Sequence, residues 1–104
     1  MPGLGSEKHR ALIGRVIEHL EYIGCECRKE AKITSCYGET FYVDVLAKLG
    51  HHTIIVECGK TSLERIESLR YRYPHATLII QPFGVEIPCL RLKPNEPTSI
   101  VLLK

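Results

Sequence analysis

The stretch Thr40–Cys58, TFYVDVLAKLGHHTIIVEC, decides the architecture. It contains two runs rich in β-branched and aromatic residues, Thr40–Leu49 and His52–Cys58, parted by Gly50 and His51. Such runs read as strands, and two residues between them with Gly first suit a type II′ hairpin turn. A two-residue loop sets the register. Leu49 then pairs with His52, Lys48 with Thr53, Ala47 with Ile54, Leu46 with Ile55, Val45 with Val56 and Asp44 with Glu57. The last pair puts two carboxylates opposite each other on one face, with Cβ atoms about 4.5–5.5 Å apart. Asp44 is the anomalous residue, because Asp is a poor strand former and its neighbours here are apolar. Opposed like charges destabilise a sheet unless a shared proton or a bound cation neutralises them. Oxygen ligands on rigid strands suit Mg2+ or Mn2+. A register slip of one residue would instead send the acids to opposite faces and leave one in water.

Upstream of the hairpin, Ser6 is placed to cap a helix starting at Glu7, with an apolar stripe at Leu12, Ile13, Val16, Ile17, Leu20 and Ile23 and a stop at Gly24. Cys25–Thr34 reads as a strand, and Arg28, Lys29, Glu30 and Lys32 make it polar and edge-like. Ser35–Glu39 contains Gly38 and reads as a turn. Downstream, Thr61 or Ser62 caps a second helix with the stripe Leu63, Ile66, Leu69 and Tyr73, ended by Pro74. Ala76–Ile80 is a short apolar strand of the buried kind. Val85–Leu92 and Ser99–Leu103 form a possible last pair of strands, interrupted by Pro94 and Pro97. The order α-β-β-β-α-β, with one or two extra strands, predicts an α/β fold: one mixed central sheet flanked by helices.

Length and composition agree with that plan. The 104 residues suffice for one domain, and 44% hydrophobic with 25% charged residues is ordinary for a globular fold. No apolar run approaches a membrane span, and the start MPGLGSEKHR lacks the apolar stretch of a signal peptide, so the expectation is a cytoplasmic protein. A net charge of +2 permits contact with nucleic acid without arguing for it. The cysteines, Cys25, Cys27, Cys36, Cys58 and Cys89, are odd in number and mostly lie in strand-like segments. Their spacing is not that of a zinc site, and buried free thiols are expected.

The residues after Glu57 extend the acidic pair. Gly59 lets backbone bend or approach a ligand, Lys60 adds an ammonium, and Thr61 and Ser62 bring hydroxyls and helix N–H groups. Taken singly they read as a strand terminator, a surface charge and a cap. Beside two acids and a metal, the same groups can hold a phosphate and orient a water.

With Asp44 in YVDVLA and Glu57 in IIVECGKT on adjacent strands between two helices, the chain resembles the PD-(D/E)XK nuclease superfamily. The resemblance runs from about Ser6 to Gln81, and the nearest members in size and layout are the archaeal Holliday-junction resolvases. It implies a restriction-endonuclease-like αβββαβ core over about 6–81 of a single domain 1–104, with a C-terminal extension 82–104. It also implies metal ligation by Asp44, Glu57 and the carbonyl of Cys58. Gly5–His9, GSEKH, is similar to a G-x-x-x-H pattern on the first helix of some recombination-associated exonucleases, which makes His9 a third candidate ligand rather than Glu7. One departure stands out: the family's lysine position, two after the glutamate, is Gly59 here, and Lys60 follows. The implied activity is a Mg2+- or Mn2+-dependent DNA endonuclease acting on branched or duplex DNA, with Lys60 in the lysine's role. The alternative is an inactive nuclease-fold module that binds nucleic acid or a protein partner. Arg28, Lys29, Lys32, Arg65, Arg70 and Arg72 are the candidate phosphate contacts. A homodimer is expected, with the apolar SIVLL segment as a pairing edge.

Overall fold

The computed structural model describes residues 4–35, 37–84 and 100–102. Its elements are α1 (Leu4–Tyr22), β1 (Glu26–Thr34), β2 (Thr40–Leu49), β3 (His52–Cys58), α2 (Leu63–Arg72), β4 (Thr77–Gln81) and β5 (Ile100–Leu102). The strands form one sheet in the order β1-β2-β3-β4-β5. β1, β2 and β3 pair antiparallel, whereas β3–β4 and β4–β5 are parallel, so the fold is α/β with a mixed sheet. The Val85–Leu92 strand, Cys36 and Cys89 lie outside the described residues. No helix among the described residues is long and apolar enough to cross a membrane.

The two helices cover the sheet through separate apolar clusters. Leu12, Ile13, Val16 and Leu20 of α1 pack with Val45, Ala47, Ile54, Val56, Cys58 and Ile79. Ile66 and Leu69 of α2 pack with Ala31, Val43, Ile55, Leu78 and Ile80. β3 and β4 are buried on both faces, which is why their sequences read as nearly unbroken apolar runs. β1 is the polar edge strand, as its charges predict.

The helix ends follow local chemistry, with two corrections. α1 begins at Leu4 rather than Glu7, so Ser6 lies inside the first turn and is not the cap. First-turn N–H groups lack intrahelical partners wherever a helix begins, and Ser there costs little propensity. At the other end, Cys25 N–H donates to Leu20 O and Gly24 N–H to Glu21 O, with Gly24 at φ +102. That is a Schellman close on the expected glycine. For α2 the cap is Ser62, whose Oγ accepts from Arg65 N–H at 3.1 Å. Leu63 is 68% exposed and leaves the predicted stripe, because the first turn presents Arg65 to the sheet instead.

The hairpin holds the predicted register from Leu49↔His52 to Val45↔Val56. Gly50 has φ +63 and His51 stays out of the left-handed region, the φ pattern of a type II′ turn. Next to Asp44, however, the pleat changes phase. Val43 packs on the α2 side and Val45 on the α1 side, although residues two apart on a strand share a face. The neighbouring strand shifts with it: Cys27 packs towards α1, Ala31 and Ile33 towards α2. Between them Glu30 has φ +49, and the β1–β2 ladder passes from Lys29↔Val45 to Ala31↔Val43 with Glu30 and Asp44 unpaired. The register is the same on both sides of the break.

Candidate active site at the open end of the hairpin

Where the β2–β3 ladder stops, side chains replace it. Asp44 N–H donates to Glu57 Oε2 at 3.2 Å, and Cys58 N–H donates to Asp44 Oδ2 at 2.7 Å. Each acid thus accepts a backbone N–H from the other strand. The carboxylates also reach towards different helices. Asp44 Oδ2 lies 3.2 Å from His9 Nε2 of α1, while Glu57 Oε1 accepts from Arg65 Nε of α2 at 3.0 Å. The pair is therefore not the simple one-face opposition that unbroken alternation implies. The phase change beside Asp44 turns it towards α1, and Glu57 keeps the α2 face of Ile55.

The electrostatics follow from burial. Glu57 is buried, and its carboxyl is pushed above the usual carboxylate range, first by burial and then by the Asp44 charge. The Arg65 guanidinium and the Asp44 N–H act in the opposite direction. The Cys58 thiol is pushed up to about 12 by burial, then by both acids, so it is an inert packing group. Cys25 is likewise a buried free thiol, and Cys27 a half-buried one.

Gly59 shows why no lysine stands two residues after Glu57. It has φ +90, and a Cβ there would lie 2.7 Å from Phe83 Cε2. An L side chain is disfavoured by the backbone and obstructed by the ring. The chain leaves β3 at this bend, with Gly59 N–H donating to Gln81 O at 2.8 Å. Lys60 follows, exposed, and no ion pair among the described residues involves it.

The six basic candidates for phosphate contacts divide into two groups. Arg28, Lys29 and Lys32 on β1 and Arg70 on α2 are exposed. Arg65 and Arg72 instead make hydrogen bonds within the chain, so a phosphate contact by either would compete with an intrachain partner. Arg72 grips Glu39 through Nε at 2.5 Å and Nη2 at 3.1 Å, and its guanidinium lies over Phe41 and Tyr71. Arg65 donates to Glu57 and to the Tyr42 carbonyl, with Phe41 5.7 Å away. Its contact with Glu57 is what sequence reasoning missed. The available signal was the cap: with Ser62 as N-cap, Arg65 is the third residue of α2, in its first turn and seven residues after the end of β3.

Among the described residues, no group of three or more His, Cys, Asp or Glu side chains is arranged to enclose a metal ion. The donor types nonetheless suit a hard cation: two carboxylates on adjacent strands and an imidazole against one of them. Burial and mutual repulsion leave Glu57 under-compensated, which favours added positive charge there.

No family model matches the chain, and no curated protein matches it. Among solved structures, it is similar to a protein of unknown function, AF1548, at 16% identity and a TM-score of 0.49. That match covers 73% of this chain, which spans 46% of the other protein's length.

Proposed function

We propose that the chain is a metal-dependent DNA endonuclease with a restriction-endonuclease-like core, of the PD-(D/E)XK type. The observation that carries this reading is the Asp44–Glu57 interlock, with His9 seated on Asp44. Asp44, Glu57 and the Cys58 carbonyl would hold Mg2+ or Mn2+, with His9 as a further ligand. Bound there, the ion would acidify a water and neutralise charge on the scissile phosphate. The chain's own residues do the rest. Cys58 N–H and His9 orient the Asp44 carboxylate, and the Asp44 N–H orients Glu57. Lys60, in no ion pair among the described residues, supplies an ammonium for a phosphate oxygen or the attacking water. Arg28, Lys29, Lys32 and Arg70 would bind backbone phosphates of branched or duplex DNA. A homodimer would double that modest positive surface and supply two cuts.

A second reading is an inactive nuclease-fold module that binds nucleic acid or a protein partner. The bend at Gly59 under Phe83 and the Arg65 cation on Glu57 favour it. Incubation with branched, duplex and single-stranded DNA in Mg2+ or Mn2+ separates the two. The nuclease reading expects cleavage that falls at least about 100-fold in Asp44→Ala, the scale of losing a transition-state electrostatic contact. No cleavage of any substrate overturns it, and DNA affinity that survives Asp44→Ala and ignores metal supports the inactive module.

A further inference from the structure

The oxygens of the two acids are not equally available. Glu57 is only 7% exposed, and both its carboxylate oxygens are engaged, Oε2 by Asp44 N–H and Oε1 by Arg65 Nε. Asp44 is more open, and its two contacts fall on Oδ2 alone. Asp44 Oδ1 thus carries no protein contact among the described residues, whereas a cation that takes Glu57 Oε1 must displace the guanidinium. Arg65 is held from several sides. Its backbone N–H is fixed by the Ser62 cap, its Nη2 donates to Tyr42 O, and the Phe41 ring lies beneath it. Its side chain still keeps 31% exposure, which leaves it a way out towards solvent.

Resting on the metal reading above, we propose that Arg65 is a tethered counter-ion that stands in for the metal at Glu57 and must be released for the ion to bind. It offsets part of the charge on the buried Glu57 when no metal is present and sets the concentration at which metal enters. This makes Arg65 a positioning and gating residue, distinct from the phosphate contact that its sequence suggests. A cation competing for one carboxylate oxygen weakens metal affinity, whereas a residue that merely props up the site would strengthen it.

Mn2+ binding to the purified protein without DNA, followed by calorimetry and by the free-ion electron paramagnetic resonance signal, decides between them. Arg65→Met should tighten Mn2+ binding about tenfold, the low end of what a hydrogen bond to a charged group is worth. Asp44→Asn should abolish binding in either background. Unchanged or weaker binding in Arg65→Met, with wild type binding and Asp44→Asn silent, overturns the tethered counter-ion and leaves the metal site standing. No Mn2+ binding by any variant overturns both. If circular dichroism shows Arg65→Met unfolded, Phe41→Leu provides the second test, since it removes the ring beneath the guanidinium and keeps the charge. It should tighten Mn2+ binding by a smaller factor, about threefold, and an unchanged affinity overturns the proposal.

Discussion

The two ends of the β2–β3 hairpin are built on different chemistry. At the tip, from Val45↔Val56 to Leu49↔His52, the ladder is regular, and Ile54 and Ile55 pack on opposite faces beneath the two helices. At the base the pleat changes phase, backbone pairing stops, and Asp44, Glu57, His9 and Arg65 make the cross-links instead. Apolar burial is non-directional and tolerates small shifts, whereas polar cross-links fix particular atoms at particular distances. The tip therefore serves as the rigid mount and the base as the place where side chains are aimed. A strand that loses regular pairing beside its functional groups is a common device for re-aiming a side chain.

The largest expected effect tests the mount. Ile54 is fully buried in the α1 cluster, so Ile54→Ala should cost about 2–5 kcal/mol, read from the urea midpoint at constant m-value. A loss under about 1 kcal/mol would mean that the tip is not held by packing, and the comparison would fail. Next in size, one substitution can be placed at each end of β3. Gly59→Ala meets both a positive φ and the Phe83 ring, while Gly50→Ala meets only the positive φ, with nothing within 4 Å. Gly59→Ala should cost about 1–3 kcal/mol and Gly50→Ala should fall at the low end of that range. Equal losses would remove Phe83 from the account of the base.

The same contrast explains what could be read from the sequence. Register was legible because a two-residue turn with Gly50 first is local, and its consequence runs along the strands until something interrupts them. A cap at Thr61 or Ser62, the Gly24 stop and the element order were legible for the same reason, and the structure selects Ser62. The phase change was not. With both faces of the sheet covered by helices, Val43 and Val45 are satisfied on either side, so the apolar pattern carries no information about which way each points. Nothing in Glu30 announces a φ of +49. The Arg65 contact with Glu57 was not legible because a long charged side chain on a surface helix reads as solvated, and only tertiary placement brings it to Glu57.

The smallest effect sharpens the polar end of the comparison. Glu39 precedes β2 at the base, and Arg72 in the last turn of α2 grips both its oxygens. The Arg72 hydrogen bonds hold the Glu39 carboxyl below its ordinary range. A depressed carboxylate pKa stabilises the fold above the unfolded-state value and loses that contribution as pH falls through the folded-state value. Wild type should therefore melt slightly higher than Glu39→Gln at pH 7. The difference should shrink on acidification from the ordinary carboxylate range downward, and also in high salt, which screens an exposed pair. Ile54→Ala should show neither dependence, because no charge is involved at the tip. A Glu39→Gln difference that ignores both pH and salt would mean that this link acts through packing of Arg72 against Phe41 and Tyr71 rather than through its charge. The two ends of the hairpin would then differ less in chemistry than their hydrogen bonds suggest.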